Sequence, residues 1–208
     1  MNMDLYFPIP VWWEDTQIDT TPMLSVLEHV RKMDPVGRRL SNEGGWQSHD
    51  FRPGIYPEMK VLEDKILEQA HQCIRDYGYD ERYCFPVIEN FWFNVNNKFN
   101  TNMVHIHDNT FIAGAFYLKA YPGQGKITVY RDFYQDYVTS SQSVISHYTP
   151  ISASAMSYEP RTGKLILFPG SLPHGVGVNQ TDDERISTSF NVKLIRTDDE
   201  RYWPATGK

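Results

Sequence analysis

His105 and His107 stand one residue apart in the run Met103-Val104-His105-Ile106-His107-Asp108-Asn109. On an extended strand, side chains alternate between faces, so residues two apart point the same way with Cα atoms roughly 6.5–7 Å apart. Two imidazoles placed like this can converge on one metal ion. A third ligand has to come from another strand, and the best candidate is His174. It follows Leu165-Ile166-Leu167-Phe168-Pro169-Gly170-Ser171-Leu172-Pro173, which reads as a buried strand and a Pro-Gly turn, with the histidine where the chain turns back. Three protein ligands on one face leave positions open for dioxygen and a substrate, as non-haem iron(II) oxygen chemistry requires. A single histidine in a strand is more often structural than ligating, so the context of each one decides. His29, His49, His71 and His147 have no comparable context and read as surface or packing residues.

Eleven residues beyond His174 lies Arg185, in Glu184-Arg185-Ile186-Ser187-Thr188-Ser189-Phe190-Asn191-Val192. Alternation puts the guanidinium on the same side as Ser187 and Ser189. A planar, permanently charged fork on a half-apolar strand suits one carboxylate of a dicarboxylic acid. The competing reading is a surface arginine paired with Glu184 or Asp183.

The elements that must position these groups fall into two halves. Up to residue 83 the language is helical. Thr20 or Thr21 before Pro22 is a helix start, and Met23, Val26, Leu27 and Val30 recur at helical steps to about Met33. A second amphipathic helix is predicted from Pro57 to Tyr77, ended by Gly78. Each has one apolar side and needs a sheet to cover. The arm Tyr6 to Trp13 holds two prolines, which exclude a helix and confine any strand to a sheet edge. Ser41 to Ser48 reads as a polar, Gly-rich connection. Beyond residue 83, β-branched and aromatic runs predict strands near 86–96, 103–107, 112–120, 126–131, 164–169, 174–178 and 185–196. Short antiparallel strands at this spacing suggest a sandwich or barrel. The aromatic stretch 132–163 has no sustained period; a lid, a disordered excursion and undetected strands all fit it.

At 208 residues a single domain is expected: arm and support helices over 1–83, a core over 84–197 and a tail over 198–208. With 20 Lys and Arg against 26 Asp and Glu, the net charge of −6 argues against a nucleic-acid partner. There is no apolar run of about 18 residues and no basic leader, so no membrane partner and a cytoplasmic location are expected. Cys73 and Cys84 read as ordinary thiols. Oligomeric state is not legible, although the arm around Trp12-Trp13 is one candidate contact for a homodimer.

Four separated segments together resemble the iron(II)/2-oxoglutarate-dependent oxygenases: His105-x-His107, Gly114-Ala115-Phe116-Tyr117-Leu118, Leu167 to His174, and Glu184-Arg185-Ile186-Ser187. More narrowly, the chain is similar to a 2OG-Fe(II) oxygenase family found in bacteria and tailed phages, which also carries a segment like Ser41-Asn42 to Ser48; a phage-encoded member would work in the host cytoplasm. The likeness covers nearly the whole chain. It implies a mainly β fold with packed helices, a double-stranded β-helix or cupin-like jelly roll. It also implies that His105 and His174 hold iron(II), that Arg185 clamps the far carboxylate of 2-oxoglutarate with Ser187 beside it, and that dioxygen is the oxidant. The reaction would be hydroxylation of an unactivated C–H bond of a peptidyl or small-molecule substrate, with release of succinate and carbon dioxide.

One position departs from the wider superfamily. Where a carboxylate ordinarily stands two residues after the first histidine, this chain has His107, and Asp108 comes one later. Strand alternation points Asp108 away unless a bulge intervenes, so the third ligand is His107, water or Asp108, in that order. Asn94 and Tyr117 are candidate cosubstrate contacts, the alternatives being a strand-end asparagine and a core ring; Asn109 and Trp46 are candidates for the substrate mouth. Two other functions fit the same residues: a three-histidine cupin-type dioxygenase that uses no oxoacid, and a non-catalytic jelly-roll module.

Overall fold

The computed structural model describes residues 8–131, 146–149 and 152–199. The first residues of the arm, residues 132–145 and 150–151 of the 132–163 stretch read as a possible lid, and the tail beyond 199 lie outside them. Two helices come early, α1 (Thr21–Met33) and α2 (Lys60–Asp76), the latter entered through a 3-10 turn at Pro57–Met59. Pro22 sits in the first turn of α1, where a missing N–H costs nothing, and Gly78 follows α2 in the left-handed region at φ 76°.

Among the described residues eleven strands form two antiparallel sheets. They are β1 (Trp12–Asp15), β2 (Asn42–Glu43), β3 (Trp46–Gln47), β4 (Cys84–Asn96), β5 (Thr101–His105), β6 (Ile112–Lys119), β7 (Ile127–Tyr130), β8 (Ala155–Tyr158), β9 (Lys164–Pro169), β10 (His174–Val176) and β11 (Arg185–Arg196). One sheet runs β1-β9-β6-β11-β4-β3 and the other β2-β5-β10-β7-β8. Two facing sheets of this order, with helices behind one of them, make the jelly roll with packed helices that the sequence implies.

The six-stranded sheet separates two interiors. On one side Phe91, Phe93, Val95, Ile112, Phe116, Leu165, Leu167, Ile186, Phe190 and Val192 pack on Met23, Leu27, Leu62, Ile66 and Ala70 of the two helices. On the other side Ala113, Tyr117, Ile166 and Phe168 meet Ile127 and Val129 of the second sheet. The period of two in β4, β6, β9 and β11 therefore sends alternate residues into different compartments. Each fully buried Phe on the helix side contributes roughly 1.5–3 kcal/mol of burial.

Several boundaries differ from the sequence reading. The arm does form a strand, β1, which pairs with β9 at the edge of the described sheet. The Gly-rich connection contains β2 and β3, two residues each, one on either sheet. The long connection after β7 returns as β8. The strand expected over 103–107 runs instead from Thr101 to His105: Thr101 and Asn102 pair with Glu43 and Asn42 of β2, and Asn102 and His105 with Val176 and His174 of β10. Both cysteines are free and buried, and burial pushes the Cys73 thiol up to about 12. Among the described residues no helix is long and apolar enough to cross a membrane.

Candidate active site

A cavity opens between the two sheets. The six-stranded sheet supplies Trp92 and Asn94 from β4, Tyr117 from β6, Phe168 from β9, and Arg185, Ser187 and Ser189 from β11; Asn102, His105 and His174 face them from the second sheet. His105, His107 and His174 offer one ring nitrogen each, all within 4.8 Å of one another.

The backbone brings these three together in different ways. His174 opens β10 directly opposite His105 on β5. Register between these strands then shifts, since Val176 pairs with Asn102, so β5 carries one residue more than β10 over this stretch. This bulge is what places Asn102 and His105, three positions apart, on the same cavity wall. His107 lies beyond the strand; its backbone N–H donates to the Gly170 carbonyl at 2.8 Å, which ties the segment to the Pro-Gly turn before His174.

Each ring has one nitrogen committed. His105 Nδ1–H donates to the Met103 carbonyl at 2.8 Å and His174 Nδ1–H to the Leu172 carbonyl at 2.9 Å. His107 Nδ1 contacts the Asn191 amide oxygen at 2.5 Å. With these protons on Nδ1, every Nε2 presents a bare lone pair. The Nε2 atoms of His105 and His107 stand 3.2 Å apart, where two lone pairs repel and a shared cation removes the conflict. Imidazole–metal bonds of about 2.1 Å meeting near a right angle separate their nitrogens by roughly 3 Å, so the donor set fits a single metal ion. Burial pushes the His174 imidazole down to about 3, against the pull of its Leu172 hydrogen bond, and lowers His107 against the pull of Asn191. Both are neutral at pH 7, the form in which histidine binds a metal.

Arg185 is 2% exposed at the far end of the cavity. Its Nη1 donates to the Gln124 carbonyl at 2.8 Å and the Gly125 carbonyl at 3.2 Å, and Nη2 faces Asn102 Oδ1 at 3.5 Å. Burial lowers its pKa and the nearby Tyr117 hydroxyl opposes that shift. Among the described residues no carboxylate forms an ion pair with it. The surface-pair reading of Arg185 is thus corrected: Glu184, immediately before β11, pairs instead with Arg31 at 3.1 Å. A buried guanidinium bound only by neutral oxygens is costly to keep charged, and an anion entering the cavity relieves that cost.

The remaining expected residues divide. Ser187 and Tyr117 are buried, line the cavity and face each other as partners on β11 and β6. Burial pushes the Tyr117 hydroxyl up to about 12, which keeps it a proton donor. Asn94 lines the cavity and donates to Ser189 Oγ at 3.1 Å. Trp46 does not line the cavity; its ring belongs to the helix-side core, and its indole N–H donates to the Asp34 carbonyl at 2.9 Å. Asn109, in the left-handed region at φ 53°, and Asp108 are both exposed and line a second cavity on the other side of His107, with Phe111 and Ile195. Strand direction alone did not settle Asp108; the chain leaving β5 turns it to solvent. Sequence reasoning passed over Asn102, Phe168 and Asn191. Asn191 had a signal, because it continues the row Arg185, Ser187, Ser189 at a period of two.

A two-sheet jelly roll with three convergent histidines and a buried arginine along one cavity defines the class of metal-dependent oxygenase folds. Residues 90–191, which include all the histidines and the arginine of the site, match the family model described as "Putative 2OG-Fe(II) oxygenase". Over that region the chain matches the iron(II)/2-oxoglutarate-dependent oxygenases, enzymes that use iron(II), 2-oxoglutarate and dioxygen. Solved structures with the same fold include a Pseudomonas putida prolyl-4-hydroxylase, at 14% identity over 89% of this chain and 93% of that one, TM-score 0.56. The α-ketoglutarate-dependent carbocyclase SnoK of nogalamycin biosynthesis matches at 12% identity over 89% and 79%, TM-score 0.62. HygX from Streptomyces hygroscopicus, solved with nickel and 2-oxoglutarate bound, matches at 12% identity over 89% and 83%, TM-score 0.57. No curated protein sequence matches the chain.

Proposed function

We propose that His105, His107 and His174 hold iron(II), that Arg185 with Ser187 and Tyr117 holds the far carboxylate of 2-oxoglutarate, and that the protein hydroxylates an unactivated C–H bond. When bound, the iron supplies with 2-oxoglutarate and dioxygen the oxidation itself: the oxoacid loses carbon dioxide and takes up one oxygen atom as succinate, and the other oxygen atom enters the substrate as a hydroxyl. The observation that carries the reading is the shared cavity, with three bare Nε2 atoms at one end and, at the other, a buried guanidinium that no carboxylate among the described residues pairs with.

This chain's own residues prepare the site before any ligand arrives. The two carbonyls and the amide oxygen behind the histidines fix their tautomers and leave the metal-facing nitrogens unprotonated. Three neutral ligands leave the metal one charge more positive than two histidines and a carboxylate do, which strengthens its hold on a dianionic cosubstrate. Asn94 and Ser189, on adjacent strands of one cavity wall, hydrogen-bond to each other, while Trp92 and Phe168 flank the histidines and exclude water from them. The substrate is a peptidyl side chain or a small molecule, and residues 1–208 act as one oxygenase domain.

Protein mixed anaerobically with iron(II) is expected to gain a metal-to-ligand charge-transfer absorption on adding 2-oxoglutarate, and to release succinate under air. Arg185→Ala should weaken 2-oxoglutarate binding by roughly 30-fold or more, as loss of one partner of a buried charge pair does. Iron binding with no spectral response to the oxoacid and no succinate would mean the assignment is wrong. A three-histidine dioxygenase that needs no oxoacid is the alternative favoured by His107; it gives no reason for burying Arg185, and it predicts that same negative result.

A further inference from the structure

We infer that Asn191 is the positioning residue that lets a histidine serve where this superfamily ordinarily places a carboxylate, by holding His107 as its Nδ1–H tautomer with Nε2 bare toward the metal. The inference rests on the proposed ligand role of His107. A carboxylate presents an oxygen whichever way it turns, whereas an imidazole ligates through Nε2 only when its proton sits on Nδ1 and the ring is aimed. Exchanging one for the other therefore creates a need for an acceptor behind the new ring.

The three histidines meet that need differently. His105 and His174 each use the carbonyl two residues back, Met103 and Leu172, a local arrangement that the backbone provides by itself. His107 departs from it: its Nδ1 partner is a side chain 84 residues later in the chain, at 2.5 Å. Asn191 is well placed for this. It stands on β11 between Asn90 of β4 and Ala113 of β6, next in the inward row after Arg185, Ser187 and Ser189. The strand that carries the anion anchor thus also carries the brace for the metal corner. The Trp92 ring, 5.6 Å from that of His107, closes the other side and leaves the imidazole little room to turn.

Because the acceptor is a side chain, it can be removed without touching the metal-facing atoms. Zinc serves as the probe, with affinity read by chelator competition on the full chain. Asn191→Leu, which keeps the size and deletes the acceptor, is expected to lose 10- to 100-fold in zinc affinity, and Asn191→Asp, which restores an acceptor, to return to within a few-fold of the parent. In the parent protein loaded with zinc, the nitrogen-15 spectrum should show a proton on His107 Nδ1 that exchanges slowly, and this protection should vanish in Asn191→Leu. The spectrum tests the idea even if Asn191→Leu fails to fold, since an unprotected His107 Nδ1–H in the parent, or an amide N–H facing the ring, overturns it. If Asn191→Leu binds zinc like the parent while His107→Ala does not, the brace is refuted and the ligand assignment stands. If His107→Ala binds as tightly as the parent, the ligand assignment falls and takes the brace with it.

Discussion

The two faces of the six-stranded sheet are built from the same strands and do opposite work. Toward the helices, β4 and β11 present Phe91, Phe93, Val95, Ile186, Phe190 and Val192, all buried and apolar. Toward the cavity the intervening positions are Trp92, Asn94, Asn96, Arg185, Ser187, Ser189 and Asn191, polar or amphipathic without exception. A residue's parity along the strand decides whether it stabilises the fold or addresses a ligand. The helix face supplies the burial energy that permits the other face to hold a guanidinium and several amides away from water.

Substitutions at neighbouring positions of β11 should separate the two roles. The largest effect is expected at Phe190, fully buried between sheet and helices: Phe190→Ala should cost about 3–5 kcal/mol in urea unfolding while the folded protein keeps the parent's zinc affinity. A cost under about 1 kcal/mol would show that the helix face does not carry the fold.

The next effect is one of pH. His174 is neutral when folded, with its pKa lowered to about 3, and takes a proton near the ordinary 6.5 when unfolded. Between those values the unfolded chain binds more protons, so metal-free protein loses stability as the pH falls below about 6.5. The slope should be shallower in His174→Ala, and equal slopes in the two proteins would remove His174 as the source. Arg185→Leu comes third. Deleting a buried cation that has no carboxylate partner among the described residues should change stability by less than about 1.5 kcal/mol in either direction while abolishing 2-oxoglutarate binding, measured by thermal shift with and without the oxoacid. Ser189→Ala, which leaves the Asn94 amide one acceptor short, is the smallest, at about 1 kcal/mol or less. If it costs as much as Phe190→Ala, the division between the faces is not one of energetics.

What the sequence revealed follows from what a period can encode. Both helices and the seven strands β4–β7 and β9–β11 were legible because each buries residues against a partner, and burial writes itself as spacing. The two-residue strands β2 and β3 are too short for any period, and the Ala155–Tyr158 strand lies mostly exposed at a sheet edge, so nothing apolar marks it. At the site, His105, His174 and Arg185 announced themselves by residue type and context. Trp46 misled because an aromatic ring in a Gly-rich loop resembles a binding element; what places it is a hydrogen bond to the Asp34 carbonyl, which no local pattern predicts. His107 has the spacing of a strand residue but is positioned by Gly170 and Asn191, contacts that exist only once distant segments meet.

The bulge in β5 puts the length of a segment, rather than its composition, under constraint. Asn102 supports the arginine and His105 faces the other two histidines, and an unbroken strand could not turn both inward. Met103 and Val104 between them point to solvent, so many side chains should be tolerated there. Losing or gaining one residue is a different matter: it acts like a frameshift in space, dividing the pair between inside and outside and disconnecting the two ends of the cavity in a single step.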